Sequence, residues 1–354
     1  MTTQLSPADY APRLSLADIP GDVPDLMAAP PQRWGIIGAG KIASSFAGGL
    51  RERTSQRVTA VGSRDLAKAQ AFADAHTHEA TAYGSYEGLL HDPSVDVVYV
   101  ATPHSHHLDH ALAALEAGKH VLCEKPLTRS AKESQQLIDA ARQAGVFLME
   151  AVWTRFLPHI AAMRSEIARG TIGQVTMIEA DFDIYRDYDP HHRLFAPQLA
   201  GGAILDLGIY PLHLAHSLLG MPQDMAVTGT LAPTGVDDHV AMMLSWEGGQ
   251  HALLHTSTRS AGAVAARITG TQGRIDIPSQ FHTPTDLIIT SHTGDRLSFE
   301  SPRGEGKVYE AAEVARLISA GAQESPRHSW QDTMELAQLM DQARSLVGVV
   351  YPGE

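Results

Sequence analysis

The chain has 354 residues, enough for about two domains of ordinary size. Its 44% hydrophobic and 19% charged content is that of a globular protein. With 27 Lys and Arg against 40 Asp and Glu, the net charge of −13 excludes non-specific binding to nucleic acid or anionic membrane, which needs a positive field. The one cysteine, Cys123, forms no intrachain disulfide and no cysteine metal cage, and it suits a reducing compartment.

Residues 1–32 hold several prolines and small polar residues with little periodicity, and they are expected to form an N-terminal arm, flexible or packed on a partner subunit. The opening MTTQLSPADYAPRL has no basic stretch followed by an apolar core. No apolar run reaches the ~18–20 residues that a membrane span needs, so the expected location is cytoplasmic.

From Trp34 the pattern changes. An apolar run to Ile37 meets a glycine cluster, followed by a helix-like stretch from Lys41 to Leu50. A β-type run (58–61) and an Ala-rich helix (66–75) come next, then a strand (96–101), a helix (106–116), a strand (120–123), a helix (130–144) and a closing strand (146–149). Such alternation is the signature of βαβ units and a parallel, doubly wound sheet. Beyond residue 155 the rhythm differs. One helix (160–168) leads to a strand (175–184), then a loop rich in Asp, Pro and His, and a helix around 210–219. Further β-type runs (240–246, 250–258, 265–270, 287–291) are separated by turn signals at 247–249 and 271–273, and a long helix covers 330–347. The fold class expected is an α/β N-terminal domain (33–153) plus an α+β C-terminal domain (154–354) with a largely antiparallel open sheet. The last helix is free to return to the first domain.

Gly38-Ala39-Gly40-Lys41-Ile42-Ala43 directly follows the first strand and opens the first helix. Gly38 permits the tight turn, Gly40 admits a pyrophosphate close to the backbone, and Ala43 allows close helix–strand packing. The free N–H groups of the helix N-terminus, at Lys41 and Ile42, complete a phosphate cradle. A carboxylate at the end of the second strand would select NAD. Gly62-Ser63-Arg64 stands there instead, and Ser63 and Arg64 suit a 2′-phosphate, so NADP is the expected cofactor. Asp65 is read as the cap of the following helix.

Cys123-Glu124-Lys125-Pro126 lies at the C-terminal end of a strand, the edge that faces the ligand crevice in open α/β sheets. Alcohol oxidation requires removal of the hydroxyl proton. A lysine accepts it only where burial or nearby charge moves it from its ordinary pKa of about 10.4. Glu124 is placed to orient that ammonium or the nicotinamide ribose. If the chain is helical from about Leu205, Asp206 and Tyr210 stand at i and i+4 on one face, where a carboxylate and a phenol can hold a sugar hydroxyl and relay its proton. Arg193, after the polar loop, is within reach of a substrate. The cluster His104, His106, His107 and His110 invites a metal reading, but its spacing lacks the glutamate of a zincin and the expectation is no metal.

These motifs, with Ala101-Thr102-Pro103 followed by His107, MEAVWTRFLP and RLFAPQLAGGAILDLGIYPL, resemble the glucose-fructose oxidoreductase / inositol dehydrogenase (Gfo/Idh/MocA) family, most of all its dimeric dihydrodiol dehydrogenase / NADP-dependent D-xylose dehydrogenase branch. The resemblance covers roughly residues 33–350. It implies a Rossmann domain binding NADP through Gly38, Gly40, Lys41, Ile42, Ser63, Arg64, Thr102, Pro103, His107, Glu124 and Lys125. It further implies Lys125 and Tyr210 as the proton-handling pair, Asp206 holding substrate, and Trp153 and Arg155 lining the pocket. His104 replaces an asparagine of many relatives, and Tyr210 replaces the histidine of inositol-type members. The implied activity is hydride transfer to or from a sugar or trans-dihydrodiol, in a homodimer paired through the C-terminal sheet. The alternatives are a non-catalytic NADP-sensing regulator and a tight-cofactor sugar–sugar oxidoreductase.

Overall fold

A computed structural model describes residues 13–19, 23–77 and 79–354. Its first element is β1 (Arg13–Leu14). A parallel sheet begins with β2 (Arg33–Ile37), α1 (Lys41–Arg53), β3 (Arg57–Gly62), α2 (Leu66–His76), β4 (Thr81–Tyr83), α3 (Tyr86–Leu90) and β5 (Val97–Val100). The sheet is completed through α4 (His107–Glu116), β6 (His120–Glu124), α5 (Ala131–Ala144) and β7 (Leu148–Ala151). The six strands lie in the order β4-β3-β2-β5-β6-β7, all parallel. Strand order reverses between β2 and β5, which is where ligands bind in such sheets. Every residue of β5, VVYV, is buried, as helices on both faces require.

Local chemistry sets the boundaries. Asp65 caps α2 by accepting hydrogen bonds from Ala67 N and Lys68 N. Ser130 caps α5, and Gly145, at φ 68°, ends it in the left-handed conformation. β4 and α3, not anticipated from the sequence, are short and their alternation is too brief to register.

The second half contains α6 (Pro158–Ala168), β8 (Val175–Asp183), α7 (Ile209–Leu219), β9 (Asp224–Leu231), β10 (Asp237–Ser245), β11 (His251–Ser257), β12 (Ala266–Gly270), β13 (Gly273–Ile277), β14 (Leu287–Ser291), β15 (Arg296–Phe299), α8 (Lys307–Ser319) and α9 (Trp330–Val347). The strands form one sheet, β1-β15-β14-β13-β12-β8-β11-β10-β9, antiparallel except at β1–β15 and β8–β11. Both expected hairpins are present, β10–β11 and β12–β13. Along β10, Val240, Met242 and Leu244 are buried, whereas Ala241 and Met243 face outward. One face is therefore core and the other open.

Two expectations need correction. The arm over 1–32 is not free where it is described: Arg13–Leu14 pairs in parallel with Ser298–Phe299, Ile19 is buried, and Ala29 packs on Ala312 and Ala315 of α8. The unpaired edge of β15 and an apolar gap on α8 supply what composition alone does not reveal; residues 1–12 and 20–22 lie outside the described residues. The expected α-helix from Leu205 is instead one turn of π-helix, Ile204–Gly208, running into α7. α9 does return to the first half. Ala131 N donates to Asp341 Oδ2 at 2.9 Å, and Trp330 Nε1 donates to the Leu148 carbonyl at 3.0 Å.

Candidate active site

The C-terminal ends of β2, β3, β5, β6 and β7 converge on one crevice. Gly38, at φ 100°, turns the chain out of β2; a Cβ there would meet Ala101 O at 2.8 Å. Gly40 precedes α1, and a Cβ there would meet nothing within 4 Å. The helix N-terminus has no side-chain cap, so its amide N–H groups point into open space suited to an anion. This cradle fits the pyrophosphate of a dinucleotide. Ser63 Oγ accepts from Asp65 N at 3.2 Å. Arg64 is exposed, with no hydrogen bond or ion pair among the described residues.

A cavity of about 600 Å³ runs from Gly40, Lys41 and Ile42 past Thr102 and Pro103 to Lys125 and Asp206. A second, of about 330 Å³, shares Ile42, Glu124, Lys125, Arg193 and Asp206 with it and adds Trp153, Tyr210, His282 and Lys307.

Where the two meet, charges are arranged around Asp206. Lys125 Nζ donates to the Asp206 carbonyl at 2.6 Å and lies 3.4 Å from Oδ1. Arg193 grips the same carboxylate with both terminal nitrogens, at 2.8 and 3.1 Å. Burial opposes the charge of Asp206, but Lys125 and Arg193 outweigh it and hold its pKa well below the usual carboxylate range. His104 Nδ1 lies 3.2 Å from the Ala200 carbonyl, and its Nε2 lies 3.6 Å from Asp206 Oδ1. Burial pushes His104 down to about 3, so it is neutral at physiological pH.

Tyr210 lies beneath the lysine: Lys125 Nζ is 4.8 Å from its ring centroid. Trp153 Nε1 donates to the Tyr210 hydroxyl oxygen at 3.0 Å. Burial, then the charge of Glu124, raises the Tyr210 pKa and keeps the phenol protonated. Asp206 and Tyr210 thus share a cavity wall without touching, because the π-turn sends the carboxylate toward Arg193 and the phenol toward Trp153. Glu124 accepts a hydrogen bond from the buried Tyr99 hydroxyl.

Other expected residues stand differently. His107 is fully buried, with its ring nitrogens 2.8 Å from the carbonyls of Pro126 and Thr102. It ties the β5 and β6 loops together from beneath, without reaching the crevice. Thr102 Oγ1 is 3.0 Å from His110 Nδ1. Arg155 is directed away from the cavity, its Nε donating to the Arg327 carbonyl at 2.6 Å. Among the described residues no group of three or more His, Cys, Asp or Glu is set to hold a metal ion. Lys307 and His282 line the cavity and were not anticipated. Lys307 opens α8, a helix not anticipated from the sequence, and His282 lies in a loop without periodicity.

Residues 32–152 match the oxidoreductase family with an NAD-binding Rossmann fold, and residues 160–276 match the GFO/IDH/MocA C-terminal domain. Trans-1,2-dihydrobenzene-1,2-diol dehydrogenase from Danio rerio is 41% identical over 332 residues, covering 90% of this chain and 98% of its own length. The enzyme of the same name from Bos taurus is 36% identical over 334 residues, with the same coverage. Among solved structures, a 3-ketoreductase from Actinomadura kijaniata in complex with NADP and TDP-benzene superposes with a TM-score of 0.79 at 28% identity, over 90% of this chain and 98% of that one. Levoglucosan dehydrogenase, in complex with NADH and levoglucosan, shares the fold with a TM-score of 0.79 at 23% identity, over 90% of this chain and 97% of that one.

Proposed function

The chain belongs to the Gfo/Idh/MocA family of oxidoreductases, and on that premise we propose that it transfers a hydride between NADP and a CH–OH carbon of a sugar or a trans-dihydrodiol. One observation carries the reading: Lys125 and Asp206 line both the cavity that reaches the dinucleotide cradle at Gly40 and the adjoining one walled by Tyr210. The nucleotide-binding unit spans 33–153 and the substrate unit 154–354.

The preference for NADP rests on Ser63 and the exposed guanidinium of Arg64 at the end of β3, with the neighbouring Asp65 carboxylate turned to cap α2. Gly38, Gly40, Lys41 and Ile42 hold the pyrophosphate. Thr102, Pro103 and Glu124 flank the nicotinamide end, and His107 supports them from below. A nicotinamide bound there supplies the hydride acceptor or donor.

In the oxidative direction the substrate hydroxyl sits between Lys125 and Tyr210. Lys125, held by the Asp206 carbonyl, receives the hydroxyl proton as the neutral amine and becomes the ammonium that the Asp206 carboxylate then faces. Asp206 and Arg193 hold neighbouring hydroxyls, and Trp153 gives the substrate ring an apolar wall. In reduction the same groups run in reverse. The dihydrodiol dehydrogenase names of the relatives at 36–41% identity and the sugar-like layout of donors and acceptors both support this substrate class.

The same reading makes the protein a homodimer. Met243 and Leu253, paired across β10 and β11, are 49% and 45% exposed on the open sheet face, beside a hollow of about 340 Å³. A buried lone thiol, Cys123, suits the reducing cytoplasm.

The test is initial-rate nicotinamide reduction with NADP+ and NAD+ in parallel, across aldoses, anhydrosugars and dihydrodiols, with Lys125→Met as control. Turnover with NADP+ that vanishes in the variant is the expected result. Protein that binds NADP yet turns over nothing in the panel overturns the proposal in favour of a sensing role.

A further inference from the structure

A phenol carries one proton and two lone pairs, whereas an indole N–H is a donor only. The contact between Trp153 Nε1 and the Tyr210 oxygen, 3.0 Å, therefore has one polarity: Trp153 donates and Tyr210 accepts. The hydroxyl makes no other hydrogen bond among the described residues, so its proton faces the cavity.

Trp153 is itself held from behind. The Lys307 ammonium, only 9% exposed, lies 4.6 Å from the indole centroid. It is fixed by Glu305, whose Oε1 is 3.1 Å from both Nζ and the backbone N of Lys307. Glu305 in turn accepts the hydroxyl of Ser45 in α1. Gly306 lies flat against the indole, where a Cβ would come within 2.6 Å of Cζ3. A cation on the ring draws electron density from the indole and makes its N–H a stronger donor.

Resting on the oxidoreductase reading above, we propose that Trp153, backed by Lys307, is a positioning residue that commits Tyr210 to donating a hydrogen bond to the reacting oxygen of the substrate. Tyr210 then stabilises negative charge on that oxygen, and the proton removed in oxidation goes to Lys125. Burial and Glu124, which keep the phenol protonated, act in the same sense. Two residues that look like cavity wall thereby divide the labour between the lysine and the tyrosine.

A double-mutant cycle tests this. Trp153→Phe keeps an aromatic ring and deletes the donor; Tyr210→Phe deletes the acceptor. With the best substrate of the panel, W153F is expected to lower kcat about tenfold, as loss of one hydrogen bond at a reacting group allows, with KM within about threefold. In the Y210F background the same change is expected to alter kcat by less than about twofold, because the group it acts through is gone. K307M gives a smaller loss in the same direction, and K307R recovers part of it. An equal loss from W153F in both backgrounds overturns the proposal, since that marks a packing role. Should W153F fold poorly, the K307M cycle, which leaves the indole in place, decides by the same criterion.

A second readout needs no turnover. In protein labelled with 15N at the indole nitrogen, the Trp153 N–H resonance is expected to move upfield in Y210F, as a lost hydrogen bond requires. An unmoved resonance refutes the contact. If no substrate of the panel is turned over by protein that binds NADP, the functional reading fails separately, and this resonance alone decides the contact.

Discussion

Asp206 organises the site at the scale of single residues. It anchors the Lys125 ammonium through both carbonyl and carboxylate and takes the whole fork of Arg193. Asp206→Asn leaves two cations around a neutral amide, and kcat/KM is expected to fall by about 100-fold or more, read in steady-state kinetics. A depressed carboxylate pKa stabilises the folded chain above the unfolded value of about 3.9, and that stability is lost as pH falls below it. The melting difference between wild type and D206N is therefore expected to stay constant from pH 8 to 5 and to shrink below 4. Arg64→Leu removes the guanidinium offered to a 2′-phosphate. The Kd for NADP+ is expected to rise about 10- to 100-fold while that for NAD+ stays within about twofold, by calorimetric titration. Much at this scale is legible in sequence, because glycine at a strand–helix turn and lysine at a strand end each have a backbone reason to be there. Lys307 and His282 are not. The value of either lies in what faces it across the chain, Trp153 for one and Tyr210 for the other.

Among the elements, the turn into α1 shows how differently two glycines of one motif behave. Gly38→Ala strains a positive φ and drives a methyl against Ala101 O, so a loss of several degrees in Tm is expected together with loss of cofactor binding. At Gly40 a methyl meets no protein atom. Gly40→Ala is expected to leave the Tm within about 1–2 °C while weakening NADP+ binding at least about tenfold, by differential scanning fluorimetry and titration. Equal affinity in G40A would mean that the pyrophosphate does not pass there. The parallel strands are readable because burial on both faces makes them continuous apolar runs, as in VVYV. β9 escapes because most of its residues lie exposed or half-exposed at a sheet edge, so no alternation survives. α8 escapes for the opposite reason. Its polar residues Lys307, Glu310 and Glu313 are all buried, and the Glu310 carboxyl, raised by burial, lacks a hydrogen-bond partner among the described residues. A reading that sends charge to the surface finds no amphipathic stripe there. The π-turn at Ile204–Gly208 likewise has no local signature; it appears where Asp206 is drawn to Arg193 and Lys125.

For the whole molecule, buried imidazoles set the response to acid. Burial pushes His104 and His282 down to about 3 and His159 to about 4. All three take up protons on unfolding below the ordinary value of about 6.5, so stability is expected to fall as pH drops from there. Asp237, raised by burial to about 6, and Glu310, also raised by burial, oppose them, while burial lowers His107, His110, His120, His192 and His213 in the same sense as the three. Calorimetry from pH 8 to 4 should show a Tm flat above 6.5 and declining below; a Tm rising toward pH 5 would refute this. The open sheet face makes a second whole-molecule prediction: Leu253→Asp is expected to convert a dimer to monomer in light scattering, without loss of the fold. The two ends of the chain also cross over between the halves. β1 completes the edge of the second sheet, and α9 lies on α5 of the first domain. During synthesis the earliest-described strand must wait for β15, and the flank of the nucleotide-binding sheet stays bare until residues 330–347 leave the ribosome. A nascent chain halted before residue 330 would therefore hold a nucleotide-binding unit whose α5 and β7 still lack the helix that covers them.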